Sequence, residues 1–285
     1  MNQSKLFSEF KLKNTTFRNR IVLSPMCQYK AVNGYVEDWH FQHYSRFAFS
    51  GLGGAFIEAT GISPEGRITH GCTGIWEDGQ IEGLKKITEV FKKYRCVSGI
   101  QLAHAGRKAS FLRPWDGAKP IEKNDGFEKK WQTIGPSAIP VNENSPTPIE
   151  MTNDDIEKVK NDFKNAARRS LEAGFDILEI HGAHGYLLHS FFSPISNKRE
   201  DKYGGNLENR MRFGLEIVRN IREVWSSEKP LFFRISSVDG AENGSSFEEN
   251  IVYAKELKKA GVDIIDCSSG GIGGSPVLMK SKIIP

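Results

Sequence analysis

Short apolar runs alternate along this chain with longer stretches of helical period, the pattern of repeated βα units around a parallel sheet. The apolar runs predict strands at Ile21–Ser24, Ala55–Ala59, Val97–Leu102, Ile177–His181, Leu231–Ile235 and Ile264–Cys267. The periodic stretches predict helices over about His40–Phe49, Ile81–Lys93, Asn153–Ala173, Leu207–Trp225 and Phe247–Ala260. Three helix-to-strand joints repeat one phrase. SGLGGAFIEA, LEAGFDILEIH and KKAGVDIIDCSS each close a helix at Gly, run through an apolar strand and emerge into polar residues. Polar residues at the C-terminal ends of successive parallel strands mark the active-site side of an α/β barrel or a doubly wound sheet.

Two segments break the rhythm. An excursion over about 109–150, densest in Pro, Gly, Lys and Asp from Arg113 to Glu150, reads as a long insertion after the third strand. A second, SPISNKREDKYGG, separates the fourth strand from its helix. Insertions of this sort carry substrate contacts, although a solvated loop is an equally good account of Lys119–Lys130. Six strands are found before the sequence stops at SKIIP, whereas an α/β barrel closes its ring with eight. The expectation is one barrel domain over residues 1–285 from which the last two βα units are missing, with unpaired edges on strands one and six.

Composition narrows the class of protein. The 285 residues are 38% hydrophobic and 26% charged, and no apolar run approaches the length of a bilayer span. The opening MNQSKLFSEF has neither a secretory nor a transit pattern, so the expected location is the cytoplasm, with no membrane partner. Cys27, Cys72, Cys96 and Cys267 are scattered and form no C-x-x-C pair, which points to reduced thiols. The net charge of +4 comes from lysines spread over helical faces, without the dense basic run that nucleic-acid binding would need.

Four strand ends carry polar residues that packing alone does not require: SPMCQY at 24–29, QLAHAGRK at 101–108, EIHGAHGYL at 179–187 and FRIS at 233–236. Singly each has a plain alternative. Cys27 can be a small core residue, His104 a satisfied core histidine and Arg234 half of an ion pair. Together they would face one cavity.

In order and spacing, NRIVLSPMCQY, IEAT, IQLAHAGRKAS, the long run from EAGFDILEIHGAHGYLLHSFFSPISNKREDKYGG into its helix, PLFFRISSVD and VDIIDCSSGG resemble the Old Yellow Enzyme family, and the match covers essentially the whole chain. Cys27 and the paired histidines of HGAH are similar to its bacterial-type branch of NADPH-dependent ene-reductases. The resemblance implies a TIM (β/α)8 barrel, FMN at the C-terminal ends of the strands, and reduction of activated C=C bonds in α,β-unsaturated carbonyls and nitro compounds with NADPH or NADH. It implies that Ser24, Pro25, Met26 and Cys27 lie along the flavin, that Ala59 meets the ring edge, and that Gln101 hydrogen-bonds its pyrimidine side. Arg234 would sit where negative charge gathers on reduction, a task suited to a guanidinium that never titrates. His181 and His184 would hold the oxygen of a small enone, Tyr186 would supply a proton, Tyr29 would line the pocket, and Lys108 would stand near its mouth or the phosphate side. Homo-oligomers of the full-length form fit the same resemblance.

The residues support these roles on their own terms. His181 and His184 can reach one cavity only if the chain turns between them, and Gly182 and Gly185 would permit the turn. Two neutral imidazoles can then donate to an oxygen that gains charge, and a tyrosine stays protonated until a carbanion needs its proton. Three other readings remain. A dienoyl-CoA reductase type would need a cysteine cluster beyond the barrel; a metal-dependent lyase or hydrolase would use His104, His181 and His184 as ligands; and a chain without the phosphate-binding loops of strands seven and eight would do no catalysis.

Overall fold

A computed structural model of the chain describes residues 4–122 and 129–273, so the SKIIP end and the middle of Lys119–Lys130 lie outside the described residues. The chain opens with an antiparallel hairpin, β1 (Phe10–Leu12) and β2 (Thr15–Phe17), in which Phe10 pairs with Phe17. After β3 (Val22–Leu23) come α1 (Asp38–Ala48), β4 (Gly54–Gly61), α2 (Ile81–Lys93) and β5 (Val97–Ala103). Two short parallel strands, β6 (Ile134–Gly135) and β7 (Ile149–Glu150), brace the long insertion. Then follow α3 (Asn153–Glu172), β8 (Ile177–Gly182), α4 (Leu187–Phe192), α5 (Leu207–Arg222), β9 (Leu231–Ser236), α6 (Phe247–Ala260) and β10 (Ile264–Ser268).

The main sheet runs β3-β4-β5-β8-β9-β10, every pair parallel, in the order of the chain. Its strands are the six that the apolar runs mark out. One face packs on the helices through Ile57, Ile100, Leu178, Ile180, Leu231 and Phe233, all buried with Leu84, Phe91, Phe163 and Phe213. The other face forms a second cluster at the N-terminal ends of the strands, where Phe56, Val97, Ile177 and Phe232 meet Phe17 of the hairpin. Apolar residues on both faces explain why these strands read as continuous hydrophobic runs rather than alternating ones. Among the described residues β3 and β10 are the two edges, and a cleft of about 300 Å³ lined by Ser24, Phe56, Glu179, Phe232 and Asp266 opens at them.

The helices start and stop on local chemistry. Thr152 with Asp155 and Ser246 with Glu249 form capping boxes at α3 and α6, each cap worth about 1 kcal/mol. Gly261 ends α6 at φ +115°, a conformation that favours glycine. Helix α5 stops at Arg222, short of the Trp225 expected from the pattern. The Arg222 guanidinium donates to the carbonyls of Ser226, Lys229 and Gly261, which fastens the chain into a turn, and Trp225 is buried beyond it with Nε1 donating to Pro230 O. Helix α4 is absent from the sequence reading because LLHSFF is buried on every side and so has no amphipathic period. No helix among the described residues is long and apolar enough to cross a membrane.

Candidate active site

Strand register builds the floor of the site. Ala59, Gln101, Glu179 and Phe232 lie in one row across β4, β5, β8 and β9, and two positions further along, His181, Arg234 and Asp266 form the next. Gln101 Nε2 donates to Glu179 Oε1 at 2.8 Å. Arg234 faces Asp266 with Nε 3.3 Å from Oδ2, at an angle that leaves this N–H without a hydrogen bond. Burial, reinforced by the neighbouring Asp266 carboxylate, pushes Glu179 up to about 8, so it is neutral at pH 7.

Beyond β8 the chain turns sharply, and the turn presents three side chains. His184 takes φ +60° and Gly185 φ +74°. Gly182, expected to supply this turn, instead stays in the strand, and its missing Cβ serves packing: a methyl there would come within 2.1 Å of the Phe233 ring. A left-handed histidine is held against its preference by its partners. Its N–H donates to Ser236 Oγ at 2.9 Å, its Nε2 lies 2.6 Å from Ser268 Oγ, and its carbonyl accepts from Lys108 Nζ at 2.8 Å. The His181 ring meets those of His184 and Tyr186 edge-on, at 5.2 and 4.8 Å between centroids. Nδ1 of His181 accepts the Ala183 N–H, which leaves the proton on Nε2. Burial, then the neighbouring His184 and the Arg234 guanidinium, holds His181 well below the ordinary histidine range; burial, Arg234 and Lys108 hold His184 at about 4. Both imidazoles are neutral at pH 7. Burial and the nearby Cys27 raise the Tyr186 phenol, so it keeps its proton.

The opposite wall is the extended segment after β3. Gln28 N donates to Glu58 Oε2 at 2.7 Å, and Glu58, buried at a bulge of β4, also meets Tyr44 and His40. This anchor holds the segment that carries Cys27 and Tyr29. Burial pushes the Cys27 thiol up, so it remains a thiol. Ser24 and Met26 are exposed, Pro25 half-buried. A pocket of about 290 Å³ opens between the two walls, lined by Tyr29, Tyr186 and Lys108 and by Phe111, Pro114 and Ala118 of the insertion. The insertion thus supplies pocket wall on both sides of Lys119–Lys130, up to Ala118 and again at Val141, Asn142 and Ser145. Burial and the adjoining Arg107 hold Lys108 down to about 8.

His104 stands apart from these groups. Its Nδ1 accepts the Gly106 N–H, its ring packs against Gly66, and no group of three metal-binding side chains occurs among the described residues. The three-imidazole metal site is thus not assembled. Ser236 and Ser268 also position site residues, and in the sequence only the polar strand ends FRIS and DCSS hint at them.

Residues 5–273 match the family described as NADH:flavin oxidoreductase / NADH oxidase. The chain belongs to this family. It is 45% identical over 274 residues to the NADPH dehydrogenase of Bacillus licheniformis, a match covering 95% of this chain and 75% of that one. Among solved structures it resembles Old Yellow Enzyme from Pichia sp. AKU4542, with a TM-score of 0.78, 28% identity and coverage of 93% of this chain and 71% of that one. It also resembles a 2-naphthoyl-CoA reductase in complex with 2-naphthoyl-CoA, with a TM-score of 0.83, 29% identity and coverage of 93% and 40%. The six parallel strands are accordingly part of an α/β barrel, and the protein is an FMN-dependent oxidoreductase that draws on NAD(P)H.

The strand-end residues fit a flavin. The ring needs hydrogen-bonding groups along its pyrimidine edge and positive charge where the reduced form is anionic. Gln101 and Arg234 would offer both from neighbouring rows, and the buried Nε–H of Arg234, 3.3 Å from Asp266 Oδ2, makes no hydrogen bond of its own.

Proposed function

We propose that this enzyme reduces C=C bonds activated by an adjoining carbonyl or nitro group, with small enones as substrates. The observation that carries this reading is the packing of two neutral imidazoles and a protonated phenol against one another at the end of β8, where Tyr186 lines the pocket. FMN, when bound, supplies the hydride that it takes from NAD(P)H. His181, through Nε2–H, and His184, through the nitrogen not engaged by Ser268, donate to the substrate oxygen and stabilise the charge that gathers there. Tyr186 donates its proton to the carbon next to the activating group. Lys108, with Nζ 5.2 Å from the Tyr186 ring, keeps positive charge near the phenolate left behind. Ser24, Pro25, Met26, Cys27, Ala59, Gln101 and Arg234 hold the flavin, and Tyr29 holds the substrate against it. The described residues form one barrel domain, and the scattered thiols fit an enzyme of the cytoplasm.

The two half-reactions separate the roles. Tyr186→Phe should slow reoxidation of the reduced enzyme by an enone roughly 10²–10⁴-fold, and leave its reduction by NADPH within a few-fold. Stopped-flow traces at the flavin absorption band decide the matter. Equal slowing of both halves would make Tyr186 a packing residue.

A further inference from the structure

The reaction pocket is too small for the whole of either large ligand that such an enzyme meets. A cavity of about 290 Å³ accommodates a nicotinamide ring or the reactive end of an enoyl thioester, and the remainder must lie across the mouth. What stands at that mouth is unusual. Trp115 is 53% exposed and meets Tyr29 of the pocket edge-on at 6.2 Å. Lys30 places Nζ 4.9 Å from the Trp115 ring and 5.6 Å from that of Trp39, itself exposed. Arg113 also lies over Trp115, at 5.4 Å, but is paired with Asp116 at 2.6 Å. Lys30 has no carboxylate partner among the described residues. The rim thus offers a cation held in place by two indoles and not neutralised, beside an indole face open to solvent.

We infer that Lys30 and Trp115 bind the phosphorylated adenosine arm of a ligand whose reactive end lies against Tyr186. The adenine would stack on Trp115 and the phosphates would pair with Lys30, the combination by which nucleotides are commonly held. Two ligands carry this arm, the nicotinamide reductant and a coenzyme A thioester. The inference rests on the reading of the pocket as the reaction chamber.

A binding test that needs no turnover comes first. Titration of the chain with adenosine 2′,5′-bisphosphate should quench tryptophan fluorescence. Trp115→Phe should abolish that quench, Lys30→Glu should weaken binding about tenfold, and Lys30→Arg should restore it; added salt should weaken it too. Binding indifferent to both positions overturns the inference. In the flavin-loaded enzyme, Lys30→Glu should raise KM for NADPH about tenfold while oxidation of 1-benzyl-1,4-dihydronicotinamide, which lacks the arm, stays unchanged. A rise confined to an enoyl-CoA substrate would assign the rim to the thioester instead. Equal effects on the armed and armless reductants overturn the inference. An enzyme that oxidises no dihydronicotinamide refutes the proposed reaction, and the fluorescence titration still decides the rim.

Discussion

Nε2 of His189 lies 2.8 Å from Oδ1 of Asp239, both side chains buried, and Nδ1 of the same imidazole accepts the Gly185 N–H at 2.8 Å. Asp239 also accepts from Ser193 Oγ, Ser245 Oγ and Ser245 N, so the loop after β9 and helix α4 are tied to the turn that carries His184 and Tyr186. A carboxylate fixes the tautomer, and the tautomer makes Nδ1 an acceptor. His189→Ala should therefore cost about 1–3 kcal/mol in stability by urea unfolding, since it removes one hydrogen bond to a buried carboxylate and leaves the Gly185 N–H without its acceptor. It should also weaken enone binding more than the distant substitution Lys259→Ala does; unchanged enone affinity would show that the turn holds without it.

Acid should unfold this protein through its histidines. Burial holds His104 and His184 at about 4. Between pH 6.5 and about 4 the unfolded chain binds protons that the folded chain refuses, so stability falls as pH falls, by about 1.4 kcal/mol per pH unit for each such group. His104 is 1% exposed, and an asparagine there can still accept the Gly106 N–H. Unfolding free energies at pH 7 and pH 5 should differ less for His104→Asn than for the parent. Identical differences would mean that His104 is protonated in the fold at pH 5.

Glu179 acts in the opposite direction. Its folded value of about 8 lies above that of the unfolded chain, so its contribution is complete below about pH 4.5 and is lost as pH rises through 8. Glu179→Gln keeps an oxygen for Gln101 and removes the ionisation. The variant should match the parent at pH 4.5 and exceed it at pH 8.5 by a few kcal/mol in chemical denaturation. A parent that loses no stability across that range would show Glu179 already ionised.

Gly182 tests packing rather than flexibility. The Phe233 ring that an added methyl would strike is itself fully buried, so it has nowhere to move. Gly182→Ala should cost about 1–3 kcal/mol in thermal or urea unfolding. At Gly83 of α2, where a Cβ would meet only the end of the Val36 side chain, the same change should cost less or stabilise. A larger loss at Gly83 would contradict the assignment.

The sequence by itself determined the six parallel strands, five of the helices and the strand ends that hold the site, because periodicity and the Gly that closes a helix are local properties of a chain. It also determined which side of the sheet carries chemistry, since polar residues recur at one end of successive apolar runs. Only the tertiary structure decided how those residues are held. Asp239 and His189 are 50 residues apart, Glu58 and Gln28 are 30 apart, and Ser268 lies 84 from His184. Such pairs leave no periodic trace, because each is set by strand register and by loops folding over the barrel mouth. Of the two glycines that the sequence offers for the turn at His184, Gly185 takes a left-handed conformation and Gly182 does not, for the same reason. A glycine signals freedom, but whether the freedom is used for a left-handed turn or for the close approach of a ring depends on what packs beside it.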